Sequence, residues 1–567
     1  VKNKATTFYI ILGTIAVILI AAFVFARPLI GSYLVNDCYK TTQPVVALFD
    51  RNKPEENRTL GNIEHYDVVF KNTAFWFDDK LLKAALTNHD VLITIETWLK
   101  GPSGDRSVLD AVNEGDFDGK FTKLARLVAK SGHQVYIRWA PDMEVNAYMY
   151  PWQLHSSTDY IAAFNHVAKL MKQDAPKVKI VWGPSGYPGD TEYWPGLANV
   201  DYASITLGSP SEYSTTSYPF AKTIPDMLKA KLHRLRFLNV PVLIIGADDG
   251  AKGYFKQEWL TNQLAYMNKY ANTVYSSANY ITKDPPKPKR TTLQIGAFDP
   301  NRKLIHQKEI TIEHIFVDLG DVQRGTFEKT FMEIVNRHRD VIVTMEPWRD
   351  TTGVADSVVT RSILSGKYDK VIRKLFRVLA LTNQKVLLRW MHEMEIPIHR
   401  YAWQSQDPAE YIQAYRYFML FEGGPPKNVK KVWGPAGDRG SIDFWPGDDV
   451  VDFISVAIYG LPDKNITDPN KQESFSSAFN RKFYRMRFSD KPIFITEFGV
   501  KGPEAYQDKW LAGAAKTIND NPHVFGACYF NLYDNPKAWG KIKAPDWSIS
   551  ARSMAKFTAQ LKNVEVR

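Results

Sequence analysis

Lys385-Val-Leu-Leu-Arg-Trp-Met-His-Glu-Met-Glu395 is an apolar run that breaks into charge over its last four positions. Residues 385–391 lack the alternation of a half-exposed strand and read as a strand buried on both faces, as in a parallel sheet. His392 and Glu393 then fall where such a strand must meet water. A carboxylate there occupies the end of the strand at which (β/α) barrels keep their reactive groups. One such Glu reads equally well as a structural ion pair. A second run of the same type, Lys491-Pro-Ile-Phe-Ile-Thr-Glu-Phe-Gly499, also places a Glu at its end, at 497. Two carboxylates on two strand ends are the minimum set for cleaving a glycosidic bond.

Outward from this stretch the chain repeats itself. Arg138-Trp139 returns as Arg389-Trp390, Ile95-Glu-Thr-Trp98 as Met345-Glu-Pro-Trp348, Val181-Trp-Gly-Pro184 as Val432-Trp-Gly-Pro435, and Trp194-Pro-Gly196 as Trp445-Pro-Gly447. The near-constant offset, about 250 residues, is the length of a whole domain and matches a (β/α)8 barrel. The second copy offers eight strands: Leu293–Phe298, His314–Leu319, Val341–Glu346, Lys385–Met391, Lys430–Trp433, Phe453–Tyr459, Pro492–Glu497 and Val524–Phe530. Helix-like periods lie between them, as in Tyr368–Leu381, so the strands are expected to be parallel and closed into a barrel. The first copy supplies matching strands from Val45–Phe49 through Gln134–Ala140 to Pro241–Ala247.

The expected organisation is an α/β chain of two tandem (β/α)8 barrels after an N-terminal transmembrane helix. Residues 1–43 form the anchor and juxtamembrane segment, 44–281 a degenerate barrel, 282–292 a linker, and 293–567 the catalytic barrel. The anchor is read from Phe8–Ala26, which is uncharged and long enough to cross a bilayer, behind Lys2 and Lys4. A cleavage after Ala26 is disfavoured by Arg27-Pro28. The barrels are therefore expected on the extracytoplasmic side of the cell membrane. Thr282–Thr292 (TKDPPKPKRTT) reads as a stiff, solvated connection.

Composition narrows the function. Of 567 residues 44% are hydrophobic and 23% charged, which fits folded domains. A net charge of +11 comes without a basic run interleaved with aromatics, so nucleic acid is not an expected partner. Cys38 and Cys528 are too few for a disulfide framework, and no motif for a metal, nucleotide or other cofactor stands out. Fifteen tryptophans suit either a large core or a sugar-binding surface.

Arg389-Trp-Met-His-Glu393, Tyr401-Ala-Trp403, Trp445–Asp452 (WPGDDVVD), Tyr459 and Ile495-Thr-Glu-Phe-Gly499 together resemble glycoside hydrolase family 26. That family holds endo-β-mannanases, mixed-linkage β-glucanases and β-1,3-xylanases within the clan of retaining (β/α)8 glycosidases. The resemblance covers most of 293–535 and, more weakly, 44–281. It implies that Glu393 is the general acid/base and Glu497 the nucleophile, with His392 near the reacting sugar and Tyr459 orienting Glu497. The implied substrate is a β-linked polysaccharide of mannan or glucan type. The loop after the acid, Met394-Glu-Ile-Pro-Ile-His399, departs from the family's usual Asn and Trp, which touches substrate class first. In the first copy Asp142 aligns with Glu393, Pro141 with His392 and Gly246 with Glu497, so that copy is expected not to catalyse.

Further substrate-binding candidates follow from position. Trp403, Tyr459, Trp539 and Trp547 lie in or near strand-end loops and suit sugar platforms or core packing. Glu346 and Trp348 end the third strand. Their twins Glu96 and Trp98 survive in a copy without the catalytic pair, which favours a scaffold role, with substrate contact as the second reading. Trp433 reads as packing and Glu395 as a loop residue. Two other functions remain open at this stage: a non-catalytic glycan-binding scaffold of an exopolysaccharide synthesis and export assembly, and a transglycosylase using the same covalent intermediate.

Overall fold

The computed structural model describes residues 11–19, 21, 38–41, 45–72, 80–99, 106–146, 149–207, 224–246, 286–347, 354–396, 401–404, 407–461, 472–539, 541 and 543–567. Contacts divide the chain into an N-terminal and a C-terminal unit.

In the C-terminal unit the strands are β10 (Gln294–Phe298), β11 (Ile310–Val317), β12 (Asp340–Met345), β13 (Val386–Trp390), β14 (Val429–Trp433), β15 (Phe453–Ile454), β16 (Ala457–Tyr459), β17 (Ile493–Gly499) and β18 (Val524–Phe530). All pairings are parallel. Strand β18 pairs with β10 while β15 and β16 pair with β17, so the sheet closes. The expected sixth strand, 453–459, is split at Ser455-Val456, and its halves act as one barrel position. The expected strand from His314 begins earlier, at Ile310.

Closure follows from the two-sided burial of these strands. Ile312, Ile342, Leu387, Val432, Phe494 and Cys528 meet inside the barrel. The outward residues meet helices, as where Trp390 stacks on Phe418 of helix Pro408–Leu420, centroids 4.9 Å apart. Helix Asp369–Leu379 buries Val371, Ile372, Leu375, Phe376, Val378 and Leu379, the stripe its three- and four-residue spacing demands.

Gly526 on β18 shows how tight the interior is. A Cβ there would lie 2.2 Å from the Phe494 ring and 2.8 Å from the Gln294 carbonyl oxygen. Alanine ordinarily outperforms glycine inside a strand. Here the Gly526→Ala variant is expected to lose about 1–3 kcal/mol, because Phe494 has to leave its packed position. Denaturant titration followed by a probe in this unit checks the sign; an unchanged or raised midpoint refutes it.

The N-terminal unit departs from expectation. Strands β4 (Ile63–Lys71), β5 (Asp90–Trp98), β6 (Val135–Trp139), β7 (Lys179–Trp182), β8 (Tyr202–Leu207) and β9 (Val242–Gly246) are parallel and in order. Strand β2 (Val45–Phe49), expected to open a parallel barrel, runs antiparallel beside β9, and β3 (Arg58–Leu60) runs antiparallel beside β2. Strand β1 (Cys38–Lys40) lies antiparallel on β4. The connection between β2 and β3 is a short turn through Pro54–Glu56, which suits a hairpin, whereas a parallel neighbour needs a crossover of a dozen residues or more. Among the described residues this sheet is open, not a closed barrel; residues 247–285 lie outside them.

Of the expected membrane span 8–26, residues 11–19 and 21 are described and are helical. Among the described residues no helix is long and apolar enough to cross a membrane. Where the linker is described, Pro286, Pro288, Lys289, Thr291 and Thr292 are exposed, while two of its side chains hold it to the C-terminal unit. Arg290 donates to the carbonyls of Ile518, Asn521 and Val524 at 2.7–3.0 Å, and Lys287 to those of Arg487 and Ser489. At the end of helix Glu504–Asp520 the Ile518 and Asn521 carbonyls take the amides of Asn521 and Val524, and Arg290 adds a positive charge where the helix dipole is negative. Residues 286–292 are thus docked on the C-terminal unit.

Candidate active site

The opening stretch of sequence builds one half of the site. Leu387 and Arg389 of β13 face the barrel interior, and Arg389 is 1% exposed. Beyond Trp390 the backbone enters the left-handed region twice, at Met391 (φ 48°) and Glu393 (φ 54°). Such a conformation costs free energy for residues with a Cβ and persists only where its surroundings enforce it. They do so here. The carbonyls of 391, 392 and 393 accept hydrogen bonds from Tyr411 Oη (3.2 Å), Trp403 Nε1 (2.7 Å) and Gln404 Nε2 (3.0 Å). The Glu393 amide donates to Gly434 O at 2.8 Å.

The other half is Glu497. Between the pairs Ile454↔Ile493 and Ala457↔Glu497, β17 contains one residue more than the strand beside it. This bulge re-aims the strand end. Glu497 Oε1 accepts from Arg389 Nη2, and Oε2 accepts from Tyr459 Oη at 2.9 Å. Burial alone would push the Glu497 carboxyl up. The charges of Arg389 and His392, with the bonds from Arg389 and Tyr459, outweigh burial and hold it below the usual carboxylate range. Arg389 is itself fixed through Nε to Thr344 Oγ1 (2.9 Å), which His314 Nε2 also contacts at 2.7 Å. Burial keeps His314 neutral.

The remaining candidates divide. His392 is buried, with Nε2 3.7 Å from Glu346 Oε1, and its ring lies against Tyr401 and Phe316. Tyr459 packs on Trp547, centroids 4.8 Å apart, and Trp547 meets the half-buried Trp539 at 6.4 Å. Trp403, for which a sugar platform and core packing were both open, is 0% exposed and stacked on Tyr401. Its indole holds the strand end and offers no free face. Trp547 and Trp433 are likewise buried. Trp348 lies outside the described residues.

Glu395, read as a loop residue, does lie beyond the strand and is enclosed there. Its Oε1 accepts from Gly437 N (2.9 Å), Asp438 N (3.2 Å) and Ser441 Oγ (2.6 Å), and burial raises its pKa. Lys482, unmarked in the sequence, donates to Ala436 O (2.6 Å) and Ala457 O (2.7 Å). Together they tie the loop after β14, which receives the Glu393 amide, to the sixth strand. Among the described residues no group of side chains could hold a metal ion.

These features define a (β/α)8 barrel protein with two carboxylates at strand ends, one of them held ionised. No protein-family profile matches the chain. It is similar to the β-1,3-xylanase TXYA of a Vibrio species, 26% identical over 196 residues, 33% of this chain and 37% of that protein. A β-1,3-xylanase of an Alcaligenes species is 26% identical over 208 residues, 33% and 43% of the two chains. The chain thus spans under half the length of these curated relatives. Among solved structures, the GH26-CBM35 β-(1,4)-mannanase of Podospora anserina aligns at 16% identity with a TM-score of 0.32, over 47% of this chain and 64% of that one.

Proposed function

We propose that the C-terminal unit is a retaining endo-β-glycosidase of the family 26 type, acting on a β-linked polysaccharide. The observation that carries this reading is the Arg389–Glu497–Tyr459 arrangement, which keeps one carboxylate ionised in a buried barrel mouth that also holds Glu393. Glu497 attacks the anomeric carbon while Glu393 protonates the departing glycosidic oxygen. Glu393, now a carboxylate, takes a proton from water as the water displaces Glu497, and net configuration is retained. The similarity to β-1,3-xylanases makes β-1,3-xylan the first polymer to test, with mannans and β-glucans beside it. In this reading residues 8–26 tether the protein to the membrane, and the N-terminal unit does not catalyse, since Gly246 has no side chain.

Incubation with a polysaccharide panel, alongside Glu497→Gln, tests the proposal. Expected is the release of new reducing ends from one β-linked polymer by the unaltered chain alone, with the β-anomer first in NMR spectra of the products. Release that persists in Glu497→Gln, or an α-anomer first, sinks the assignment.

A further inference from the structure

We propose that the N-terminal unit binds a neutral saccharide at its own strand ends, where Trp98, Tyr150, Asp67, Glu96 and Asp142 come together. The choice of a sugar as ligand rests on the glycosidase reading of the other unit; the grouping of these residues does not.

The backbone that presents Glu393 is reproduced in this unit without the catalytic pair. Ala140 and Asp142 repeat the left-handed conformations, at φ 43° and 59°. The carbonyls of Ala140, Pro141 and Asp142 are held by Tyr160 Oη (3.2 Å), Trp152 Nε1 (2.7 Å) and Gln153 Nε2 (2.9 Å). The bonds that enforce the strained strand end in the other unit are thus intact in this one.

What it presents has changed in kind. Gly246 stands where the other unit has Glu497, and among the described residues Arg138 turns to Ser204 Oγ (3.0 Å), Thr206 Oγ1 (3.2 Å) and, at 3.6 Å, Asp142 Oδ1. His65 contacts Thr94 as His314 contacts Thr344, but two residues further along an acid, Asp67, stands where the other unit has Phe316. Asp142 is 7% exposed; its Oδ1 lies in the ion pair with Arg138 but accepts no hydrogen bond. A buried acceptor without a hydrogen bond costs about 1–3 kcal/mol, which the charge of Arg138 offsets in part and a ligand hydroxyl would offset further.

An aromatic wall stands beside these acids. Trp98 and Tyr150 are half-buried with centroids 6.4 Å apart, Trp98 Nε1 donates to Glu96 Oε2 at 2.9 Å, and Tyr150 is stacked on Trp152. Rings that offer apolar faces beside hydroxyl-binding carboxyls suit a sugar, whose C–H face packs on the ring while its hydroxyls reach the acids. Burial raises all three carboxyls, that of Asp67 to about 6, and the nearby charge of Glu96 adds to it there. Asp67, Glu96 and Asp142 outnumber the cations that act on them, Arg138 and Lys231, which disfavours an anionic sugar, and the ligand proposed is a neutral one.

The test uses the full chain carrying Glu497→Gln, titrated calorimetrically with β-1,3-xylotetraose, mannotetraose and laminaritetraose, and with a tetragalacturonide as the anionic control. Two binding events are expected for one neutral probe and none for the anionic one. Adding Trp98→Ala with Asp67→Ala is expected to weaken one event at least tenfold and leave the other. The milder pair Trp98→Phe with Asp67→Asn, and an unchanged melting profile, separate lost contacts from lost folding. The proposal is overturned by a single event that His392→Ala removes, by two events indifferent to the first-unit variants, or by no binding at all. Turnover by the unaltered chain with a single binding event that His392→Ala removes would leave the glycosidase reading standing and this one refuted. An event that first-unit variants remove in a chain without turnover would do the reverse.

Discussion

Glu497→Ala is expected to abolish turnover of every substrate, by at least about 10⁴-fold, because no covalent intermediate forms without a nucleophile. Glu393→Ala behaves differently. A general acid contributes about 10²–10⁴-fold, and its share depends on how badly the leaving oxygen needs a proton. On the natural polysaccharide the variant loses that full factor. On an aryl glycoside whose phenol leaves unaided, formation of the intermediate is nearly normal, and hydrolysis of it becomes slow because no base activates water. A burst of phenol followed by a slow steady state is the expected trace. Azide needs no such base, so it is expected to accelerate the slow phase of Glu393→Ala and give a β-glycosyl azide. In Glu497→Ala azide enters from the nucleophile's side instead and gives the α-azide. Rapid-mixing kinetics and NMR of the azides check both assignments. Equal loss by the two variants on activated and natural substrates refutes the division of roles.

How much of this was readable beforehand depended on what each residue answers to. Strands buried on both faces leave a plain signature, so the C-terminal barrel and the positions of Glu393 and Glu497 could be read from the sequence. Burial does not encode direction. Val45–Phe49 reads the same whether it runs with or against its neighbour, and only the brevity of the turn at 50–57 hinted at the antiparallel pairing found. The two readings of Trp403 could not be separated because a loop tryptophan looks alike whether it faces a sugar or a backbone carbonyl; the carbonyl it serves is eleven residues away.

Arg389 was overlooked as a functional residue for a related reason. Its repeat with Arg138 was visible, but its partner Glu497 lies 108 residues further on. The available clue was physical: a cation on a strand otherwise apolar on both faces requires a buried counter-charge. Glu395 offered a similar clue in its twin, Glu144. Burial raises the Glu144 carboxyl to about 7, and it accepts from Tyr187 N at 3.0 Å. An acid enclosed in both copies and bonded in each to backbone amides of the loop after the next strand has a structural task.

Arg389→Met is the second variant expected to have a large effect, and it tests whether the arginine sets the ionisation of Glu497. In the unaltered chain the folded-state pKa of Glu497 is depressed. Its ionised pair therefore adds stability above the unfolded carboxylate value, about 4.3, and this is lost as pH falls through the folded value. Removing Arg389 leaves burial, which acts in the opposite direction and raises the folded value above 4.3. The variant's stability deficit is then greatest at neutral pH, about 3–5 kcal/mol for breaking a buried pair from one side, and shrinks on acidification. Catalysis follows the same group: the acidic limb of kcat/KM moves upward by about 1–3 pH units, the span that a neighbouring arginine ordinarily accounts for. Adding Glu497→Gln to Arg389→Met removes the stranded charge, so the double variant is expected to be inactive yet more stable at pH 7 than Arg389→Met alone. A purely steric role for Arg389 would leave the acidic limb in place and make the two substitutions add. Denaturant titrations at pH 5 and 7 on the single and double variants, with a pH–rate profile for Arg389→Met, distinguish the two accounts.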